Sequence, residues 1–134
     1  AHEPGFLCDL TAEVVDFLRH DLALHVLDEE EDLFPLLRRR CLPEDDVERV
    51  LGVLSADHRT DLDLARVIRT RLEACLKARS PASRDLELKK ALIAFAEQER
   101  RHVALENAVV LPIARLRLIP SDLETLSRRL AARR

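Results

Sequence analysis

The chain has 134 residues, of which 47% are hydrophobic and 35% are charged, and its net charge is -3. This length suits one domain with one core, and the slight negative charge gives no reason to expect nucleic acid as a partner. Two Gly, no Trp and no Tyr favour long helices over strands. We predict a single domain over residues 1–134, with its core at about 10–118 and a short C-terminal helix at about 121–132.

The first helix is predicted at about residues 10–40. Ala1–Cys8 contains Pro4 and Gly5 and is expected to form a loop. Pro35 should kink the helix or begin its last turn, because proline lacks a backbone donor and crowds the preceding turn. The predicted inward positions follow steps of three and four residues. They are Leu10, Val14, Leu18, Leu22, His25, Glu29, Leu33 and Leu36.

The second helix is expected to open at Pro43, in the favoured first-turn position, and to end near Ala78. Acidic residues follow Pro43, where the helix dipole favours negative charge. Ser80, Pro81 and Ser83 then interrupt the chain. The predicted inward positions are Val47, Val50, Leu51, Leu54, His58, Leu62, Ala65, Ile68, Leu72 and Cys75.

The third helix is expected to begin at Asp85 and the fourth at Pro120. The inward positions of the third alternate between steps of four and three, as in a packed helical seam. They are Leu88, Leu92, Phe95, Glu99, His102, Glu106, Val109 and Ile113, followed in the fourth helix by Leu123, Leu126 and Leu130. The basic end of the chain, Arg128–Arg134, is expected to face solvent.

The cysteines Cys8, Cys41 and Cys75 are odd in number and contain no Cys-x-x-Cys pair. A disulfide framework and a thiolate zinc site are therefore not expected, and a reducing cytoplasm is the predicted location. The sequence also contains neither a secretory signal nor an apolar run of about 18 residues. We predict a soluble protein that does not associate with a membrane.

One segment occurs twice, first as His25–Pro35 and again as His102–Pro112. Both copies read His-x-x-x-Glu, a polar residue, two further positions, two apolar residues and a proline. Residues four apart on a helix differ by about 40° in direction, so each copy points an imidazole and a carboxylate the same way. Two such pairs can converge inside a bundle, and a transition metal accepts both kinds of donor.

A single histidine on an apolar helix face is more often a hydrogen-bonded core residue than a metal ligand. Here three helices each carry one, and burying the two motif glutamates without partners would cost on the order of several kcal/mol per charge. A cation removes that cost. The predicted metal ligands are His25, Glu29, His58, His102 and Glu106. The neighbouring acids are expected to face solvent: Asp28, Glu30, Glu31 and Asp32.

These two segments, together with Asp57-His58 between them, resemble the haemerythrin-like (HHE cation-binding) domain family from about Leu10 to Pro112. The resemblance implies an all-α, up-and-down four-helix bundle that holds a non-haem di-iron centre, with or without an oxo or hydroxo bridge. Zinc or another divalent metal is an alternative. The implied terminal ligands are His25, His58 and His102, and the implied bridging carboxylates are Glu29 and Glu106.

The chain departs from the family pattern before His25. Typical members carry a further ligand histidine on an earlier helix, so the resemblance implies a first helix that is short or missing here. His2 lies in the predicted loop, and His20 lies about 140° around the helix from His25 and should face water. Oxygen carriers of the family have a second histidine at the position of Leu62. Its replacement here argues against reversible oxygen transport.

Glu99 precedes His102 by one turn and is either an additional oxygen ligand or a residue with an exposed or salt-bridged role. His2, Glu99, water or a partner chain would complete the metal coordination. Glu99 and His102 also form Glu-x-x-His, which ferritin-like di-iron proteins use twice. No second copy occurs, because the residues three positions before His20, His25 and His58 are Phe17, Leu22 and Ser55. This disfavours the ferritin-like alternative.

Three functions remain open. The first is a binding or sensing module for O2, NO, a related oxidant or iron itself. The second is a di-iron enzyme that acts on peroxide or NO or in iron-cluster repair, although no catalytic residue can be named. The third is a metal-free helical interaction protein.

A missing first helix would expose an apolar groove, which a second copy of the chain could fill in a homodimer.

Overall fold

The computed structural model describes residues 4–134, except for the side chains of residues 4–8 and 83. This part of the chain forms four helices and no strand. They are α1 (residues 4–40), α2 (Val47–Ala78), α3 (residues 86–117) and α4 (Pro120–Arg133). The predicted all-α helical bundle is therefore confirmed. No helix among the described residues is long and apolar enough to cross a membrane.

Two predicted boundaries were wrong. The helix α1 begins at Pro4 rather than near residue 10, so residues 4–8 are helical and not a loop. Proline suits the first helical position, because its missing N–H would have no partner there. The helix α2 begins at Val47 rather than Pro43, since Pro43–Asp45 forms a separate 3-10 turn. Residues 1–3, including His2, lie outside the described residues.

The other helix ends follow the expected signals. The helix α2 ends at Ala78 and is followed by Arg79, whose φ of 51° is left-handed. At the start of α3 the Asp85 carboxylate accepts a hydrogen bond from the Leu88 N–H at 3.0 Å. This is a standard N-cap, which satisfies a backbone donor that the first turn leaves free.

Both copies of the repeated segment contain a π-helical turn that includes the motif glutamate. These turns are Asp28–Leu33 and Glu106–Val110. The N–H of Phe34 donates to the Glu29 carbonyl, and the N–H of Leu111 donates to the Glu106 carbonyl. Each turn ends two residues before the proline of its segment. A π turn accommodates an additional residue and is frequent at functional sites, and here α1 continues through Pro35 to Arg40.

The apolar core is divided into two clusters, one on each side of a polar layer. The lower cluster comprises Val15, Leu18, Leu22, Ala65, Ile68, Leu72, Leu88 and Ala91. The upper cluster comprises Phe34, Leu37, Val47, Leu51, Leu54 and Val110. Each fully buried Leu or Phe stabilises the fold by about 1.5–3 kcal/mol. The motif histidines and glutamates lie between these clusters along all three long helices.

Four leucines predicted at inward positions are exposed instead: Leu10, Leu62, Leu92 and Leu123. In α2 the inward position belongs to Asp61, which is 1% exposed, whereas Leu62 is 39% exposed. Apart from Asp57, the buried positions around it are 54, 58, 61, 65, 68 and 72, which alternate between steps of four and three. A step of four from His58 to Leu62 therefore leaves the buried face.

The C-terminal helix α4 packs against α1 through charged groups. Arg133 donates to Asp28 at 2.8 Å and also pairs with Asp32, which is 7% exposed. Arg129 pairs with Asp32, and Arg134 pairs with Asp28 at 2.6 Å. The expected solvent exposure of these two acids was wrong, whereas most of the basic end is exposed as predicted, apart from Arg133, whose side chain is 17% exposed. Their partners follow them by about a hundred positions, so local periodicity could not identify the pairing.

Candidate metal centre

Three imidazoles from three helices face one carboxylate oxygen. The Oε1 atom of Glu29 lies 2.7 Å from Nε2 of His25, which is also on α1. The same oxygen lies 3.1 Å from Nε2 of His58 on α2 and 3.5 Å from Nε2 of His102 on α3. One donor atom from each of these four residues lies within 4.8 Å of every other. We call these four residues, together with Glu106, the His/Glu cluster.

Glu106 joins the His/Glu cluster from the second copy of the repeat. Its Oε1 lies 2.7 Å from Nε2 of His102, one turn earlier on the same helix. Oε1 of Glu29 lies 3.5 Å from the same nitrogen, and burial together with the nearby Glu29 raises the pKa of Glu106. The structure therefore brings all five predicted ligands together, although Glu106 lies outside the four whose donor atoms share the 4.8 Å limit.

The cluster is buried on one side and open on the other. His58 and His102 are each 2% exposed, and Glu29 is 5% exposed. The His25 side chain, in contrast, is 49% exposed. A small ion or molecule can therefore approach the cluster from the His25 side, while α2 and α3 close the opposite side.

The charges in the cluster favour a positive centre. Burial raises the pKa of Glu29, but hydrogen bonds from His102, His25 and His58 lower it more, so the pKa lies below its usual range. Burial lowers the pKa of His102, but Glu106 and Glu29 outweigh this and raise it to about 10. The hydrogen bond to Glu29 likewise raises the pKa of His25. Protons on the imidazoles thus supply the positive charge that a cation would supply.

A carboxylate also holds the far side of the His58 ring. Nδ1 of His58 donates to Oε1 of Glu30 at 2.7 Å, and the ring stacks on Phe34 with centroids 5.8 Å apart. The expected solvent exposure of Glu30 was therefore wrong, because its side chain is 31% exposed and faces α2. Its neighbour Glu31 is exposed, as predicted. Sequence reasoning missed Glu30, since nothing local distinguishes it from Glu31.

Further acids lie behind His102. Oδ1 of Asp57 accepts a hydrogen bond from Arg101 at 3.1 Å, while Oδ2 lies 4.0 Å from Nδ1 of His102. Burial, followed by a hydrogen bond with Asp61, raises the pKa of Glu99 to about 7. Asp57 Oδ2, Glu99 Oε1 and His102 Nδ1 are buried and lack a hydrogen-bond partner among the described atoms. Such unpaired buried atoms are rare unless water or an ion serves them.

Two other expectations concern positions near the centre. The side chain of His20 is 63% exposed and approaches Asp16 rather than the cluster, as predicted. Glu99 is half-buried, and its Oε1 is a buried atom without a hydrogen-bond partner among the described atoms, so an exposed role for it was wrong. It is not one of the four residues whose donor atoms converge.

Comparison with known families agrees with this geometry. The family described as hemerythrin HHE cation binding domain matches residues 2–114. The chain belongs to this hemerythrin HHE family. The matched range includes all five members of the His/Glu cluster, so the family and the geometry of this HHE domain agree on a cation site. No curated protein and no solved structure matched the HHE domain significantly.

Proposed function

We propose that this HHE domain is a non-haem di-iron protein that binds or senses O2, NO or a related oxidant, or iron itself. The observation that carries the proposal is that two carboxylates, Glu29 and Glu106, approach the same nitrogen of His102 in a cluster of three imidazoles. Each carboxylate has two oxygens, so it can contact two cations and offset their repulsion. A mixed nitrogen and oxygen donor set suits iron, with zinc or another divalent metal as the alternative.

The residues that would hold the metals are the five members of the His/Glu cluster. His25, His58 and His102 would bind through Nε2, since these are the nitrogens that face Glu29. Iron in this position would supply a redox-active centre with affinity for small diatomic molecules. The half-exposed His25 side provides access, and Phe34 stacked on His58 helps to keep water away from the buried side.

The alternative is a di-iron enzyme that acts on peroxide or NO or in iron-cluster repair. Glu99 favours this alternative, because a carboxyl group with a pKa of about 7 can hold or release a proton at neutral pH. The lack of Tyr and Trp favours binding or sensing, since neither aromatic is present to relay a radical. A metal-free interaction protein fits less well, because protons alone would have to neutralise Glu29.

Metal analysis tests the proposal. The full chain is purified aerobically from cells grown with iron, and its iron, zinc and manganese contents are measured together with its visible absorption. We expect about two iron ions per chain, as a two-metal centre requires, and a visible spectrum that changes on exposure to NO. A protein without stoichiometric metal would contradict the proposal, and a single bound ion would contradict its di-iron part. Turnover of peroxide would favour the enzyme.

A further inference from the structure

The His58 ring is held from three directions by one stretch of α1. Nε2 lies 3.1 Å from Glu29, Nδ1 lies 2.7 Å from Glu30, and the ring face lies against Phe34 with an interplanar angle of 11°. The ring is 2% exposed. It therefore has little freedom to rotate, and its two nitrogens have different partners.

We propose that Glu30 is a positioning residue for His58. This inference rests on the proposed function, in which Nε2 of His58 binds a cation. A carboxylate that accepts the Nδ1–H of a histidine fixes the tautomer in which Nε2 carries the lone pair, and it also makes that nitrogen a stronger donor. The hydrogen bond from Nδ1 to Glu30 thus directs Nε2 toward the centre.

Glu30 reaches the His58 ring because of its position on the helix, whereas the next acid of the segment does not. Neighbouring residues on a helix point about 100° apart, yet Glu29 and Glu30 both reach His58. They can do so because the imidazole lies across this turn and presents Nε2 to one carboxylate and Nδ1 to the other. Glu31, one position further, is exposed.

The second copy of the repeat lacks this arrangement. The residues equivalent to Glu30 and Phe34 are Asn107 and Leu111, and both are exposed. Nδ1 of His102 has no hydrogen-bond partner among the described residues and lies 4.0 Å from Asp57. A positioning carboxylate is therefore specific to the first copy and serves His58 alone.

Cobalt binding tests the role of Glu30, because the visible bands of Co²⁺ report the geometry of its ligands. The metal-free full chain is titrated with Co²⁺ for the wild type, Glu30→Ala, Glu30→Gln and the matched controls Glu31→Ala and Glu31→Gln. We expect Glu30→Ala to weaken Co²⁺ binding by about 10- to 100-fold, as for other residues that orient a ligand, and to shift the visible bands. The Co²⁺ affinity of Glu30→Gln should lie between those of the wild type and Glu30→Ala, since the amide oxygen can still accept a hydrogen bond from Nδ1–H of His58. The Glu31 variants should match the wild type.

The outcomes separate this inference from the proposed function. Wild-type affinity and bands in Glu30→Ala would overturn the positioning role and leave the metal site intact. An equal loss in Glu31→Ala would do the same, since it would indicate a general charge effect. Failure of the wild type to bind Co²⁺ would overturn both. Helical circular dichroism shows whether Glu30→Ala folds. If it does not fold, Glu30→Gln becomes the test, and wild-type Co²⁺ affinity and visible bands in that variant would refute the positioning role of Glu30.

Discussion

Glu29 and Glu106, one from each copy of the repeated segment, approach the same ring nitrogen: Nε2 of His102 lies 3.5 Å from Oε1 of Glu29 and 2.7 Å from Oε1 of Glu106. Two carboxylates in such proximity disfavour each other's ionisation. Burial, and then Glu29 itself, raise the pKa of Glu106 against the opposite effect of His102. A bound cation would offset this repulsion between the two carboxyl groups.

Replacing Glu106 by Gln should empty or weaken the cation site. The amide keeps the volume and one oxygen but removes the charge that would hold two cations together. The exposed acid Glu31 offers a matched control, since single exposed charges contribute about 1 kcal/mol or less to stability. Bound iron and the thermal midpoint should be measured for both variants. If Glu106→Gln retains as much iron as Glu31→Gln, its assignment as a bridge has to be withdrawn.

The two histidines of α1, His20 and His25, form a second matched pair. His25→Ala should lower cation affinity by at least about tenfold, since each ligand of a metal site contributes strongly to binding. The metal-free protein should also lose some stability, because the buried Glu29 carboxylate loses the His25 nitrogen that lies 2.7 Å from it. His20→Ala should alter neither property. Calorimetric titration with Zn²⁺ and thermal unfolding of both variants provide the test, and equal affinities would exclude His25 as a ligand.

Removal of the Arg133 guanidinium should loosen α4. Arg133→Gln breaks contacts to both Asp28 and Asp32, and we expect the thermal midpoint to fall by roughly a few degrees. Arg128→Gln, an exposed arginine on the same helix, should leave the midpoint unchanged. High salt should reduce the difference between the wild type and Arg133→Gln, because screening weakens the ion pairs. A difference that is independent of salt would argue for packing rather than charge.

Low pH should abolish the contribution of the ion pairs between α1 and α4 to the free energy of unfolding. Hydrogen bonds from Arg134 lower the pKa of Asp28 from its usual 3.8. Because the folded pKa is lower than the unfolded one, the stabilisation is complete above pH 3.8 and disappears as the pH falls through the lowered folded value. The stability difference between the wild type and Asp28→Asn should therefore be largest near pH 7 and vanish in strong acid. Denaturant titrations at a series of pH values measure it, and a gap that widens in acid would contradict the assignment.

Local periodicity was sufficient to predict four helices, apart from two of their starts, and the common face of the cluster residues on each helix, although His25 is half-exposed. His25 and Glu29, or His102 and Glu106, are one turn apart, so their common direction follows from helix geometry alone. Contacts between helices could not be predicted in this way. Glu30 and Glu31 are adjacent acids with the same chemistry, and only the position of α2 across from them makes one a partner of His58.

The burial of Asp61 and Asp32 could not be predicted from local periodicity either. A polar residue at a buried position violates the apolar pattern from which inward positions are inferred. Asp61 is hydrogen-bonded to Glu99 and accepts from Gln98, and Asp32 is bound by two arginines of α4. Both positions depend on partners far away in the sequence.

The π-helical turn Asp28–Leu33 faces two parts of the molecule at once. Glu29 and Glu30 contact histidines of the cluster, while Asp28 and Asp32 contact arginines of α4. A displacement of this turn on cation binding therefore also changes its ion pairs with α4. By thermodynamic linkage, a change in α4 alters the affinity for the cation to the same extent. We expect amide hydrogen exchange in Pro120–Arg133 to report occupancy of a centre that this helix does not touch.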